Sequence, residues 1–258
     1  MPEGDTVYRS ARELDTALAG KTVVRSDFRV PAYATVDLAG ETVHGVASRG
    51  KHLLMRIGDV VVHSHLKMEG EWRVSRPGRR WGRPEFQARA VIEVEGAVAV
   101  GFDLGVLEVF PAAEEADRMA YLGPDLLGPD WDFAEAVRRL EAHPDAPIAV
   151  ALAEQRNLAG LGNVFVNEVC FVRGILPTRP VRDVELTPAV DVARRMIIAN
   201  RDRSGRTTTG DTRPGNRLWV YGRGGEPCRR CGTTIEHGRL GRNELELRET
   251  WWCPHCQR

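Results

Sequence analysis

Asn157-Leu158-Ala159-Gly160-Leu161-Gly162-Asn163 decides the fold, because of what stands on either side of it. Apolar residues at helical spacing precede it over 147–153 and follow it over 161–171. Two glycines allow a tight turn between those helices, and the second helix opens with unpaired backbone N–H groups. Such a turn can hold a phosphate through backbone amides and the Asn163 carboxamide. A Gly-x-Gly alone also serves as a plain helix–helix turn. The order helix, turn, helix and then a cysteine-bearing ribbon is far more restrictive.

That ribbon carries Cys228-Arg229-Arg230-Cys231 and Cys253-Pro254-His255-Cys256. Two C-x2-C knuckles present four thiolates at the spacing a tetrahedral Zn²⁺ needs. The 21 residues between Cys231 and Cys253 suit a long β-hairpin. Disulfides or a redox C-x2-C fit less well, since the start of the chain is charged, no apolar leader or membrane run appears, and the knuckles lie outside any βαβ unit. These features predict a cytoplasmic protein with one structural Zn²⁺ and no organic cofactor. Cys170 sits alone in an apolar stretch and reads as core.

The other end reads Met1-Pro2-Glu3-Gly4-Asp5. Removal of Met1 would expose a secondary amine, and a terminal amine titrates at about 7.7–8, so roughly a tenth is uncharged at neutral pH. Condensed with an aldehyde-level carbon it gives an iminium. Glu3 is the adjacent proton donor. The alternative is that Pro2 protects the terminus and Glu3 merely opens a helix.

The 258 residues carry no formal net charge, which by itself argues against a nucleic-acid partner. The halves differ, however. Residues 1–149 hold 18 basic against 24 acidic side chains, net −6, and residues 150–258 hold 18 against 12, net +6. The second half is the basic one, as a phosphate-binding surface requires. Only Lys21, Lys51 and Lys67 among 36 basic residues are lysines.

Val7, Ala11, Leu14 and Leu18 predict a first helix over 6–19, with Asp5 or Thr6 as N-cap. Strands are predicted over 22–30, 41–47, 52–57, 60–65, 71–74, 86–95 and 97–103, interrupted by the Arg-, Gly- and Pro-rich segment 76–84. Helices follow over 113–121, 132–142, 147–153, 161–171 and 188–201. The fold class is therefore α+β: an N-terminal helix and an antiparallel sandwich or barrel, then a helical region ending in the cysteine-bearing ribbon.

Eight motifs, in order along the whole chain, resemble the formamidopyrimidine-DNA glycosylase/endonuclease VIII family. They are Pro2-Glu3-Gly4, Gly50-Lys51-His52, His65-Leu66-Lys67-Met68-Glu69-Gly70, Gly123-Pro124-Asp125, Leu158–Asn163, Val220-Tyr221-Gly222-Arg223, Gly225-Glu226-Pro227-Cys228, and Arg248-x-Thr250-x-x-Cys253-Pro254-x-Cys256-Gln257. The resemblance implies a catalytic β-sandwich domain over 1–112, a helix–two-turn–helix DNA-binding domain over 113–222 and a zinc finger over 223–258. It implies a monomeric, nucleoid-associated base-excision repair enzyme acting on double-stranded DNA with oxidised bases or abasic sites.

The resemblance also assigns roles. Pro2 is the nucleophile and Glu3 the proton donor to the sugar ring oxygen. Lys51 delivers a proton or holds the lesion phosphate, and Arg248 grips phosphate and donates a proton in δ-elimination. Asn163 and Lys67 contact the backbone, while Met68 fills the gap left by the extruded nucleotide. The alternative for Met68 is a place in a hairpin core. The Phe102–Leu107 stretch lacks the Arg-x-Phe pair of purine-specific members, and only ten residues lie between Thr209 and Val220, too few for a long lesion-capping loop. Both departures point to oxidised pyrimidines. Lys67-Met68 points toward purines, and Tyr121 stands where a basic phosphate-contacting residue is usual. The remaining alternative is a zinc-ribbon protein that binds damaged DNA without catalysis.

Overall fold

Helix α1 (Gly4–Leu18) forms because Val7, Ala11, Leu14 and Leu18 fall on one stripe, and all four are buried. The computed structural model describes residues 2–258. The helix starts two residues earlier than the sequence predicts. Its N-cap is Glu3, whose backbone carbonyl accepts from the Thr6 and Val7 amides, while the Asp5 carboxylate turns to the Thr6 amide at 2.8 Å. Gly20, at φ 76°, allows the exit turn after it.

Eight antiparallel strands follow: β1 (Val23–Phe28), β2 (Val43–Arg49), β3 (His52–Ile57), β4 (Val60–His65), β5 (Glu71–Ser75), β6 (Ala88–Val94), β7 (Ala97–Phe102) and β8 (Val106–Pro111). They form two four-stranded sheets, ordered β1-β6-β7-β5 and β2-β3-β4-β8. The inward faces bury Leu53, Met55, Ile57 and Val62 from one sheet and Ala90, Ile92 and Ala99 from the other, together with the apolar stripe of α1. The sequence reading carries the β pattern to about Phe110 but names no strand after Asp103. Strand β8 is added because Val106–Pro111 pairs along β4, from Val106 opposite His65 to Pro111 opposite Val60. The helix predicted over 113–121 is shorter: a 3-10 turn, Ala112–Glu114, leads into α2 (Glu115–Met119).

The chain divides into two compact units, residues up to Tyr121 and Leu122–Arg258. The second contains α3 (Phe133–Glu141), α4 (Ile148–Ala153), α5 (Asn163–Arg173), α6 (Leu186–Asn200) and a hairpin of β9 (Glu236–Leu240) and β10 (Arg248–Trp252). Asp132 caps α3 by accepting from the Glu135 amide at 2.9 Å. Leu140, Ile148, Leu152, Phe165, Val169 and Ile197 make this unit's own core. Among the described residues no helix is long and apolar enough to cross a membrane.

Candidate active site

In the first unit, Pro2 is half-buried just ahead of α1 and Glu3 is fully buried at the helix entrance. The expected removal of Met1 concerns a residue outside the described ones. Lys51 is half-buried in the turn between β2 and β3, which Gly50 enters at φ 58°.

Lys67 and Met68 lie in the turn between β4 and β5, both exposed, Met68 to 59%. Lys67 adopts φ 54°, a conformation that costs a non-glycine residue about 1–2 kcal/mol. Its amide donates to His65 Nδ1 at 3.0 Å, and the Gly70 amide closes the turn on the Leu66 carbonyl at 2.9 Å. A Cβ on Gly105 would lie 2.2 Å from Lys67 Cγ, and one on Gly70 2.5 Å from the Leu66 carbonyl oxygen. Both glycines are therefore needed for the turn to hold its shape.

In the second unit, the glycine turn is braced from within. Gln155 donates to the Leu161 carbonyl at 2.9 Å and accepts from the Gly160 amide at 3.1 Å. Gly160 stands at φ 110°, and Gly162 is the N-cap of α5. Asn163, 7% exposed, donates one amide hydrogen to the Glu249 carbonyl at 2.7 Å. Asn167 accepts from the Trp251 amide at 2.7 Å. Helix α5 thus fixes β10 and with it the exposed Arg248. Asn163 and Arg248 line one cavity of about 120 Å³ together with Arg242 and Thr250. The carboxamide that the sequence reading expects to hold phosphate here positions the strand that carries Arg248.

A further residue missed in sequence is Glu168, buried on α5. Its carboxylate accepts from the Trp219, Val220 and Tyr221 amides at 2.8–2.9 Å and from the Thr208 hydroxyl. The Val220-Tyr221 motif is held there by three backbone donors to one anion.

Cys228, Cys231, Cys253 and Cys256 converge, with all four sulfurs within 4.8 Å of one another. Cys228 Sγ lies 4.0 Å from Cys256 Sγ and Cys231 Sγ 3.5 Å from Cys253 Sγ, and none of the four is in a disulfide. A tetrahedron of Zn–S bonds near 2.3 Å has edges of about 3.8 Å, so the cluster is able to hold such a metal. Cys170 is fully buried, which pushes its thiol up to about 12 and leaves it inert.

The profile of the formamidopyrimidine-DNA glycosylase N-terminal domain matches residues 1–103. The chain is 54% identical over 258 residues to the DNA-(apurinic or apyrimidinic site) lyase Nei2 of Mycolicibacterium smegmatis, covering all of this chain and 99% of that one. It is 51% identical to endonuclease 8 2 of Mycobacterium tuberculosis, covering both chains fully. The chain belongs to the formamidopyrimidine-DNA glycosylase/endonuclease VIII family. It is 31% identical to the formamidopyrimidine-DNA glycosylase of Exiguobacterium sp., across all of this chain and 99% of the other. The structure superposes on that of a Lactococcus lactis Fpg bound to DNA containing an oxidised pyrimidine, with TM-score 0.83, 26% identity and full coverage of both chains. As a member of this family the chain is a bifunctional DNA glycosylase/lyase acting on oxidised bases in double-stranded DNA. A damage-binding protein without catalysis is no longer a competing reading.

Proposed function

We propose that the enzyme removes oxidised pyrimidines in preference to purines, as a monomer in the bacterial cytoplasm associated with the nucleoid. The observation that carries this is the high identity over the full chain to two relatives of the endonuclease VIII type, 54% to the Nei2 lyase and 51% to endonuclease 8 2. The segment after Thr209 supports it. Its chain folds back at once, the Thr208 amide donating to the Arg217 carbonyl at 2.8 Å, with no length left over for a capping loop. Lys67-Met68 is the one feature favouring purines.

In the proposed reaction the Pro2 nitrogen bonds to C1′, the glycosidic C–N bond breaks, and the base leaves with a proton. Glu3 protonates the ring oxygen as the sugar opens, leaving an iminium. Loss of the 2′ proton then breaks the 3′ C–O bond, and a second elimination releases the 5′ phosphate, with Arg248 as proton donor. Lys51 holds the lesion phosphate, while Lys67 and Asn163 contact neighbouring phosphates. Met68 fills the vacated stack, a use that suits an exposed, flexible thioether.

Single-turnover excision from duplexes carrying 5-hydroxyuracil or 8-oxoguanine tests the preference. The pyrimidine is expected to be released at least about tenfold faster, the scale of pocket discrimination between related substrates. Equal rates, or faster 8-oxoguanine release, would refute it.

The four cysteines are proposed to hold one Zn²⁺. With four thiolate ligands the coordination sphere is closed, so the metal's part is structural. Cys253→Ser is expected to lose bound zinc by mass spectrometry and to unfold the β9–β10 hairpin, because metal binding supplies about 10–16 kcal/mol in such modules. A zinc-free variant that still binds DNA normally would overturn this assignment.

A further inference from the structure

A chain of hydrogen bonds crosses the outer face of the β2-β3-β4-β8 sheet. His63 Nδ1 lies 2.9 Å from Glu108 Oε2, His52 Nδ1 lies 2.8 Å from His63 Nε2, and the Tyr121 hydroxyl lies 2.9 Å from His52 Nε2. Strand register builds it: His63 stands opposite Glu108, and His52 opposite His65, which meets the His52 ring edge-on at 5.1 Å. The inner members are sheltered, His63 being 4% exposed, while Tyr121 at the outer end is 43% exposed.

The chemistry of the members fixes the direction of the chain. A carboxylate only accepts, so His63 Nδ1 carries a hydrogen. With one proton per ring, His63 Nε2 accepts from His52 Nδ1, and His52 Nε2 accepts from the phenol. The Tyr121 O–H therefore points inward. Burial first, then His63, His65, Lys67 and Lys51, pushes His52 down to about 3. Burial, with Lys67, Lys51 and His63, pushes His65 down to about 4. The charged groups facing this cluster are Arg49, directly opposite His52 on β2, Lys51 from the β2–β3 turn, Lys67 after β4, Glu108 on β8, and Arg118 from α2, 4.0 Å from Glu108.

We propose that Tyr121 is a DNA-phosphate contact in this enzyme, and that engaging the phosphate reverses the chain with uptake of one proton. This rests on the reading of Lys51 and Lys67 as the DNA-facing lysines. A phosphate oxygen drawn by those two cations is an acceptor, so the phenol must turn its O–H outward. His52 Nε2 must then donate to the phenol oxygen. That requires one more proton on the imidazole pair, taken from solvent. The Glu108 carboxylate at the far end stabilises it, and the phosphate charge at the near end does the same. DNA binding and proton binding become linked, with affinity rising as pH falls.

The test is binding of a tetrahydrofuran-containing duplex, followed by anisotropy at constant ionic strength from pH 5.5 to 8 with wild type, Tyr121→Phe and His52→Gln. Calorimetry in buffers of different ionisation enthalpy counts the protons. Wild type is expected to take up to one proton more than either variant, and its affinity advantage over Tyr121→Phe should grow by up to tenfold per unit fall in pH. His52→Gln keeps a partner for the phenol but cannot store a proton, so its advantage should not vary with pH. Identical proton uptake in wild type and Tyr121→Phe would overturn the inference even if His52→Gln failed to fold. Failure of wild type to bind the duplex would instead remove the DNA-facing reading beneath it.

Discussion

Replacing Pro2 by Gly is expected to lower base excision at least about a hundredfold, with loss of the adduct trapped by borohydride. A secondary amine condensing with C1′ gives an iminium that has no N–H to lose, so its positive charge survives at neutral pH and acidifies the 2′ hydrogen. The imine from a glycine amine can shed its proton and weaken as an electron sink. The pyrrolidine ring also ties the nitrogen back to its own side chain just ahead of α1, where a glycine amine is free to turn. Gel analysis of trapped adducts on an abasic duplex, with an intact-mass measurement to establish that Met1 is absent in both proteins, checks the prediction. An undiminished adduct in the variant would locate the nucleophile elsewhere.

Glu3→Gln is expected to slow base excision by about two to four orders of magnitude, the usual range for loss of a general acid. The side chain is fully buried at the N-terminus of α1, and its backbone carbonyl, not its carboxyl, receives the first helical amides. The amide is nearly the same shape and leaves that capping untouched, so stability should change little. What it removes is the proton. Single-turnover excision should fall while affinity for abasic-site DNA stays within a few-fold of wild type. Parallel loss of affinity and of melting temperature would mean that the carboxyl is structural.

Local patterns in the sequence translated directly into structure where the determining residues are neighbours. Strands 52–57 and 60–65 occupy the predicted residues because Gly58-Asp59 ends one apolar run and starts the next. The four cysteines assemble as their spacing implies. The entrance of α1 was misplaced because Glu3, its N-cap, makes no side-chain capping hydrogen bond, so no side-chain preference marks the start. Strand β8 was hidden by its partner: Glu108 meets His63, 45 positions earlier, after a turn in which Asp103 takes φ 45°. Asn163 was legible as polar and helix-leading, but its bond to a carbonyl 86 positions away was not. Tyr121 read as a departure from the family pattern. Its partner His52 lies 69 positions back, so only the folded sheet reveals the pairing.

The carboxylate of Glu168 carries a consequence for the order of assembly. Residues 219–221 make no regular structure of their own, and their amides find their acceptor some fifty positions upstream on α5. Closing a loop of that length costs chain entropy before any contact repays it. The Cys228 knuckle follows within seven residues of Tyr221. Formation of α5 is therefore expected to precede docking of the ribbon, so the Cys228–Cys231 half of the cysteine cluster inherits its timing from a helix that contributes no sulfur to it.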